Sequence, residues 1–557
     1  MIRRRGRVAA VLVAAALVLA GCAGLPTTGP VTPGMPADAE AGEPDFAFKP
    51  DSPQPGATPE EIVDGFIRAG TGPGSDGRWE VAREYLAPDT PWDPNAGVTV
   101  DRPGDRIFSE PAEGEVVLTL APVANIDDIG AYSPAEELSA DLPFQLALQS
   151  DGEWRITEAP DGLVLDTSQF STVFRRASLM YFDSTWTFLV PDIRWFPAIN
   201  AATYIADALV DKPPAPWLAA SVRTAFPEAV TLRPSVPVEE GVAEVVLDAA
   251  ALEVSPDILS RMQAQLTASL RTAGNVSTVE MWAGTTPLDV EPAATRSTRV
   301  NSLPLVRTDD SFGFLSGDQV DTIELTPAIM QVDAAAIQVS PDRDFAAVRT
   351  TGGAVVRVET DGDVLEFDQR AGLIDPTVDP SGYSWSVPRD APGQLAAFAA
   401  GSEQIAIAGA WPEATQVAAM SLSRDGTRLA AIVVSGGRAS VQISGVIRDG
   451  NGVPSALGEP SLVLATLPAQ ATSVAWVDDV TVGVLTGVGD ESELVELLVG
   501  GPAITTDAPA SSAQLAGSQG TWRVKDADGG LFSKRGATWP QTSAGILVLA
   551  TQQGSPQ

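Results

Sequence analysis

The chain has 557 residues, with 35 Lys and Arg against 72 Asp and Glu, no histidine and one cysteine. A formal charge of −37 excludes nucleic acid as a partner, because phosphate binding needs Lys and Arg surfaces. The absence of histidine removes Ser-His-Asp and Cys-His catalysis, HExxH zinc sites and imidazole bases together, and one thiol leaves no disulfide. Carboxylate chemistry, Ser-Lys chemistry and oxygen-ligated cations remain, with lysine confined to Lys49, Lys212, Lys525 and Lys534. No G-x-S-x-G elbow and no Walker A loop occurs. The length suggests three domains.

The chain opens on Arg3, Arg4, Arg5 and Arg7, followed by an apolar run from Val8 to Ala20. That is the pattern of a secretory signal and is short for a membrane span. Leu19, Ala20, Gly21 and Cys22 match the lipobox of bacterial lipoproteins, which makes Cys22 the expected lipidation site and residues 1–21 a signal peptide. The plainer alternative is an ordinary signal or an uncleaved anchor with a stray cysteine. Two or three acyl chains give stable attachment where one does not. Residues 22–57 are rich in Pro, Gly, Thr and Ala and read as a tether. At ~3.1 Å per residue such a tether reaches on the order of 100 Å when extended.

Folding is expected to begin at "TPEEIVDGFIRAG", where Thr58, Pro59 and Glu61 supply a capping box and Ile62, Val63, Phe66 and Ile67 one apolar helix face. "GRWEVAREYL" gives a second helical pattern. The period then becomes two, and Leu146, Leu148, Trp154 and Ile156 flank a Ser-Asp-Gly turn in a hairpin. Helices followed by a curved sheet resemble the NTF2-like fold over residues 58–168. A concave face without histidine favours binding over catalysis. "GTGPGSDG" at 70–77 follows a helix and contains Pro73, so it is no phosphate loop.

Residues 170–292 form a second unit. "SLMYFDSTWTFLVPDIRWFP" gives two strand-like halves, "AINAATYIADALVDKPPAPW" a helix, and a further helix after Ser255 leads into a strand at Val276–Trp282. The order of these stretches, with "GVAEVVLDA" and "QLTASLRTAGNVSTVEMWAG", resembles a GerMN domain, a small α/β module of exported proteins with no associated catalytic residues. Asp248 reads as a turn or cap residue.

From residue 300 to 557 the helical period is lost. Turns recur in "IQVSPDRDFAAVR", "PTVDPSGYSWSV", "MSLSRDGTRLAAIV", "VAWVDDVTVGVL" and "AQLAGSQGTWRV", with an insertion at "VIRDGNGVPSALGEP". Repeats of roughly 40–45 residues with short strands are the mark of a β-propeller, here of five to seven blades. A β-sandwich with similar turns is the alternative. Asp342, Asp379, Asp425 and Asp479 read as turn residues, since Asx side chains bond their own backbone. "DADGG" at 526–530 lacks the later ligands of a calcium loop. Trp195, Trp217 and Trp539 are candidate interface aromatics, with core packing the commoner use. No metal or cofactor is expected.

Lipobox, tether, NTF2-like unit, GerMN module and propeller together resemble the actinobacterial lipoprotein LpqB family, and the Ala/Val/Gly/Asp/Arg bias suits a GC-rich genome. The resemblance implies a non-enzymatic accessory lipoprotein at the extracytoplasmic face of the cell membrane, anchored through lipid on Cys22. It further implies a partner, the extracytoplasmic domain of an MtrB-like sensor histidine kinase, and a role in two-component control of cell-wall metabolism and division. An envelope scaffold binding wall polymer through the propeller is the second reading. A carboxylate-dependent hydrolase is the third, and it requires paired acids about 5–10 Å apart.

Overall fold

Thr58 starts the first helix of the described chain, Pro59–Ala69, through the expected capping box: the Glu61 N–H donates to Thr58 Oγ1 at 3.3 Å, and the Thr58 N–H to Glu61 Oε2 at 2.8 Å. The computed structural model describes residues 50–74, 77–468 and 470–554, all within the unit Ala47–Gln557. The signal peptide, the lipobox residues Leu19 to Cys22 and the tether up to residue 49 lie outside the described residues. Ile62, Val63, Phe66 and Ile67 are buried as their spacing requires, and Phe66 meets Trp92 and Phe144 edge to face. Each such apolar side chain contributes about 1.5–3 kcal/mol on burial.

The second helix is shorter than its pattern, Glu80–Arg83. Trp79 precedes it in a left-handed conformation (φ 51°), fully buried, with its indole N–H on the Gly70 carbonyl at 2.9 Å. Beyond the helix the backbone is captured by the sheet, as the Ile156 N–H donates to the Tyr85 carbonyl. The expected hairpin is present, pairing Leu146 with Ile156 and Leu148 with Trp154. The expected curved sheet is instead two four-stranded sheets. One path, Glu115–Leu120 then Pro122–Asp127, passes from the first sheet into the second. Pro122 at the crossing has no N–H for a ladder, and the change of partner falls there.

The middle domain opens with the antiparallel hairpin of Phe174–Asp183 and Leu189–Pro197. Asp183 holds its turn by accepting from the N–H groups of Thr187 and Phe188. Val242–Leu247 and Thr278–Ala283 pair in parallel across the helix Pro256–Leu270, as a parallel pair requires a crossover. Asp248 caps a 3₁₀ turn, with Oδ1 accepting from the Ala250 N–H at 3.2 Å. Ser255 occupies the N-cap of Pro256–Leu270, but its side chain makes no cap bond; its carbonyl accepts from Ile258 and Leu259.

The C-terminal domain is a propeller of six blades among the described residues, five of four strands and one of five, where Leu462–Leu467 also pairs with Arg438–Arg448. The five recurring turns join the first and second strands of five blades: Val339 to Phe345, Val378 to Ser384, Leu422 to Arg428, Trp476 to Thr481 and Ser518 to Thr521. The sixth blade has no such turn because it is assembled from both ends of the domain. Leu305–Arg307, Phe312–Ser316 and Gln319–Thr322 are completed by Val548–Gln552, with Val306 opposite Leu549. The insertion after Arg448 folds back as Pro454–Leu457 against the end of Arg438–Arg448.

The segment between the middle domain and the propeller is pinned along its length. Ala293 donates to the Ser260 carbonyl, Arg296 to that of Thr187, and the Thr298 hydroxyl to Asp479 at 2.8 Å. Gln519 and Arg523 then bond the carbonyls of Val300 and Ser302. One apolar core runs without a break from Leu218 and Phe226 of the middle domain to Ile432, Ile443 and Val484 of the propeller.

Candidate binding site at the domain junction

Three of the four turn aspartates are held in the structure, each in a different way. Asp379 is fully buried, accepting from the N–H groups of Ser381 and Tyr383, the Trp385 indole and Arg448. Asp425 pairs with Arg428 at 2.6 Å, both side chains at 0% exposure. Asp479 takes the Thr298 hydroxyl, and Asp342 is exposed. Asp526, in "DADGG", accepts from the Gly530 N–H within a hairpin turn. Among the described residues no three His, Cys, Asp or Glu side chains converge as metal ligands.

The three tryptophans separate likewise. Trp217 is buried where the middle domain meets the propeller, and its carbonyl lies 3.1 Å from where a Cβ on Gly445 would stand. Trp539 packs on its own blades, with its indole on the Asp507 carbonyl at 2.8 Å. Trp195 reaches all three domains: its indole donates to the Gly500 carbonyl, and its ring meets Phe170 and Tyr132.

Two cavities follow from this architecture. The propeller axis encloses about 100 Å³, lined by first strands of the blades, including Gln338, Ser421, Ser473, Gln514 and Thr551. Side chains tie these strands across blades: Gln338 donates to Thr551 and accepts from Thr377, while Gln514 donates to the Ala335 carbonyl and accepts from the Leu549 N–H. Arg424 borders the space with its guanidinium on the carbonyls of Trp476, Val477 and Gly517. Burial pushes its pKa down, against the pull of Asp479 and Asp478.

The larger cavity, about 270 Å³, is a cleft between the N-terminal and middle domains. Trp79, Phe174, Trp195, Phe196 and Tyr204 supply aromatic walls, and Asn95, Asp127, Asp128, Asp207 and Lys212 the polar groups. Phe196 and Tyr204 stack with ring planes 8° apart. Asp127 holds its loop by accepting from Ile129 and Ala131, and the Gly130 carbonyl takes the Trp195 N–H at 2.8 Å. Burial, with Asp207 nearby, pushes the Tyr204 hydroxyl above the usual tyrosine range. Of these residues only Trp195, and Lys212 as one of four lysines, stood out in the sequence, because the rest come from six separate segments with no shared motif.

The carboxyls raised by burial do not form a pair. Asp211 ends a helix of the middle domain, and Asp479 sits in a propeller turn.

Residues 52–171 match the family model "Lipoprotein LpqB, N-terminal domain", 178–289 "Sporulation and spore germination", and 312–547 "Lipoprotein LpqB beta-propeller domain". Among curated proteins the chain is similar to lipoprotein LpqB of Cutibacterium acnes, 33% identical over 51% of this chain and 48% of that one. It is also similar to lipoprotein LpqB of Thermobifida fusca, 33% over 49% and 45%, and of Mycobacterium tuberculosis, 30% over 39% and 36%. The matched region thus spans about half or less of these relatives. Among solved structures it is similar to a fungal Cps50 β-propeller domain from Myceliophteria thermophila, 10% identical with a TM-score of 0.26 over 38% of this chain and 70% of that one. A gluconolactonase from Xanthomonas campestris aligns at 14% with a TM-score of 0.32 over 47% and 91%.

Proposed function

The chain belongs to the lipoprotein LpqB family, and from that premise we propose that it is a lipid-anchored accessory protein that binds the extracytoplasmic domain of an MtrB-like sensor histidine kinase and modulates its signalling. In this reading Cys22 carries the lipid, residues 1–21 are removed, and the tether holds the domains near the outer face of the cell membrane. Among the described residues no helix is long and apolar enough to cross a membrane.

The observation that carries the proposal is the joining of three domains into one body, through Trp195, the shared apolar core and the pinned segment 293–302. A body of that kind keeps its surfaces in a fixed relation to one another, so a partner that binds one domain meets all three. Tethering sets an effective concentration of about millimolar order for short flexible linkers, so a weak contact is occupied. The contact changes signalling only where it favours one kinase state over the other.

The test is capture of the kinase extracytoplasmic domain by the full chain, with isolated wall material as the competing ligand. Saturable capture supports the proposal. Retention on wall material with no capture of the kinase domain replaces it with the scaffold reading. In cells, Cys22→Ser is expected to move the protein from the membrane fraction and to abolish its effect.

A further inference from the structure

The cleft between the N-terminal and middle domains has a composition that specifies a ligand class. Its 270 Å³ lies just below the range of ~300–1,000 Å³ usual for small-molecule sites, enough for one ring or one long side chain. The walls are aromatic and the polar groups mostly acidic. Asp127, Asp128 and Asp207 line the cleft together with Lys212, the one cation among its described lining residues. Arg194, behind the Asp127 loop, has buried Asp192 as its main partner at 2.8 Å and offsets Asp127 in part, which leaves Asp128 and Asp207 as the carboxylates open to a ligand.

The Lys212–Asp207 contact is long, 3.5 Å, with side chains 38% and 46% exposed. Such a surface pair is weak and exchangeable. Aromatic faces beside solvent-facing carboxylates attract cations that carry an apolar stem, and a planar guanidinium also stacks on the rings. The charge of the whole chain, −37, draws cations toward it and repels anions.

We propose that this cleft binds an organic cation, a guanidinium or alkylammonium group on an apolar stem, which packs on the aromatic walls and displaces Lys212 from Asp207. The group comes either from a basic side chain of a protein segment or from a free small amine, and the site reads the chemistry they share. This inference concerns a ligand of the cleft and stands apart from the kinase reading.

Two probes separate the sources: acetyl-Gly-Arg-Gly-amide and agmatine, each titrated into the full chain by calorimetry and tryptophan fluorescence. The citrulline tripeptide, of equal shape and no charge, is the reference. Binding of either cation that is about tenfold tighter than citrulline, and weakened by salt, is the expected result. Binding of the tripeptide alone assigns a protein segment, and binding of agmatine a free amine. The pair Asp128→Asn with Asp207→Asn is expected to weaken binding about tenfold. Both positions are solvent-facing, and an unchanged melting curve shows the fold intact. Equal binding of citrulline, no binding of either cation, or undiminished binding by the folded double variant overturns the proposal.

Discussion

The indole N–H of Trp195 donates to the carbonyl of Gly500 at 2.9 Å, across 305 residues of chain. Trp195 sits on the second strand of the middle domain, and Gly500 in the turn after the third strand of the fourth blade. The same indole packs on Phe170, with centroids 5.0 Å apart, and on Tyr132 at 6.3 Å. One side chain therefore joins three domains. Gly500 has φ +87°, and a Cβ there would stand 3.1 Å from Cβ and O of Ile193. Close approach and a left-handed backbone both require glycine at this turn.

Removing the bond without the ring tests the junction. Trp195→Phe leaves the Gly500 carbonyl without this donor and is expected to cost about 1–2 kcal/mol. Trp195→Ala also loses the packing, at about 3–5 kcal/mol. Denaturant unfolding measures both, and limited proteolysis between domains should accelerate in the same order. A loss in Trp195→Phe below the error of the measurement would remove the hydrogen bond from this account.

The buried pair of Asp425 and Arg428 supports the third blade. Burial alone would raise the Asp425 carboxyl, but Arg428, with Ser423 and Thr427, holds it below the usual carboxylate range. A lowered folded pKa means that the ionised form is favoured by folding. Its stabilisation is complete above the ordinary aspartate value and is lost as pH falls through the folded one. Arg428→Met strands the carboxylate and is expected to cost about 3–5 kcal/mol at neutral pH. Adding Asp425→Leu to Arg428→Met should recover much of that loss. No recovery would mean that Arg428 acts chiefly through its place over the Trp476 ring, 5.0 Å away.

How much of this was legible in the sequence depends on the range of the interaction. The Thr58–Glu61 box, the Leu146–Ile156 hairpin and the five propeller turns are local, and their residues carry them. The helix expected over "GRWEVAREYL" was overextended because Trp79 is held by Gly70, a tertiary contact that periodicity does not contain. The sixth blade was invisible because no turn links Val306 to Leu549. The cleft was invisible for the same reason: Asp128, Phe196 and Asp207 approach only after two domains dock. Cys22 is the converse case: its lipobox marks it as the expected lipidation site, and it lies outside the described residues.

Closure of the propeller by Val548–Gln552 gives a sharp prediction. This strand pairs with Leu305–Arg307 on one side and meets Ala334–Val339 on the other. Truncation after Leu547 removes the central strand of that eight-stranded array and exposes two edges, which invite intermolecular pairing. Loss of the cooperative unfolding transition and growth of aggregates in size-exclusion chromatography are expected. A soluble monomer with an unchanged melting curve would show that the blade does not depend on its last strand.

Asp479 behaves in the opposite sense to Asp425. Burial raises its carboxyl, and the Thr298 hydroxyl, Arg428 and Arg424 offset this only in part, while Asp425 adds to it. A raised folded pKa means that folding favours the protonated form. Stability from this group is therefore present below the ordinary aspartate value and is lost as pH rises through the folded one. At neutral pH the ionised carboxylate costs stability. Asp479→Asn removes that charge, and its amide oxygen still accepts from Thr298. The variant is expected to melt above the parent at pH 7, with the difference shrinking as pH falls below the usual carboxylate range. Thermal melts across that range measure it. A variant less stable than the parent at pH 7 would show that the carboxylate, through Thr298 and the neighbouring arginines, holds the interdomain segment more strongly than its burial opposes it.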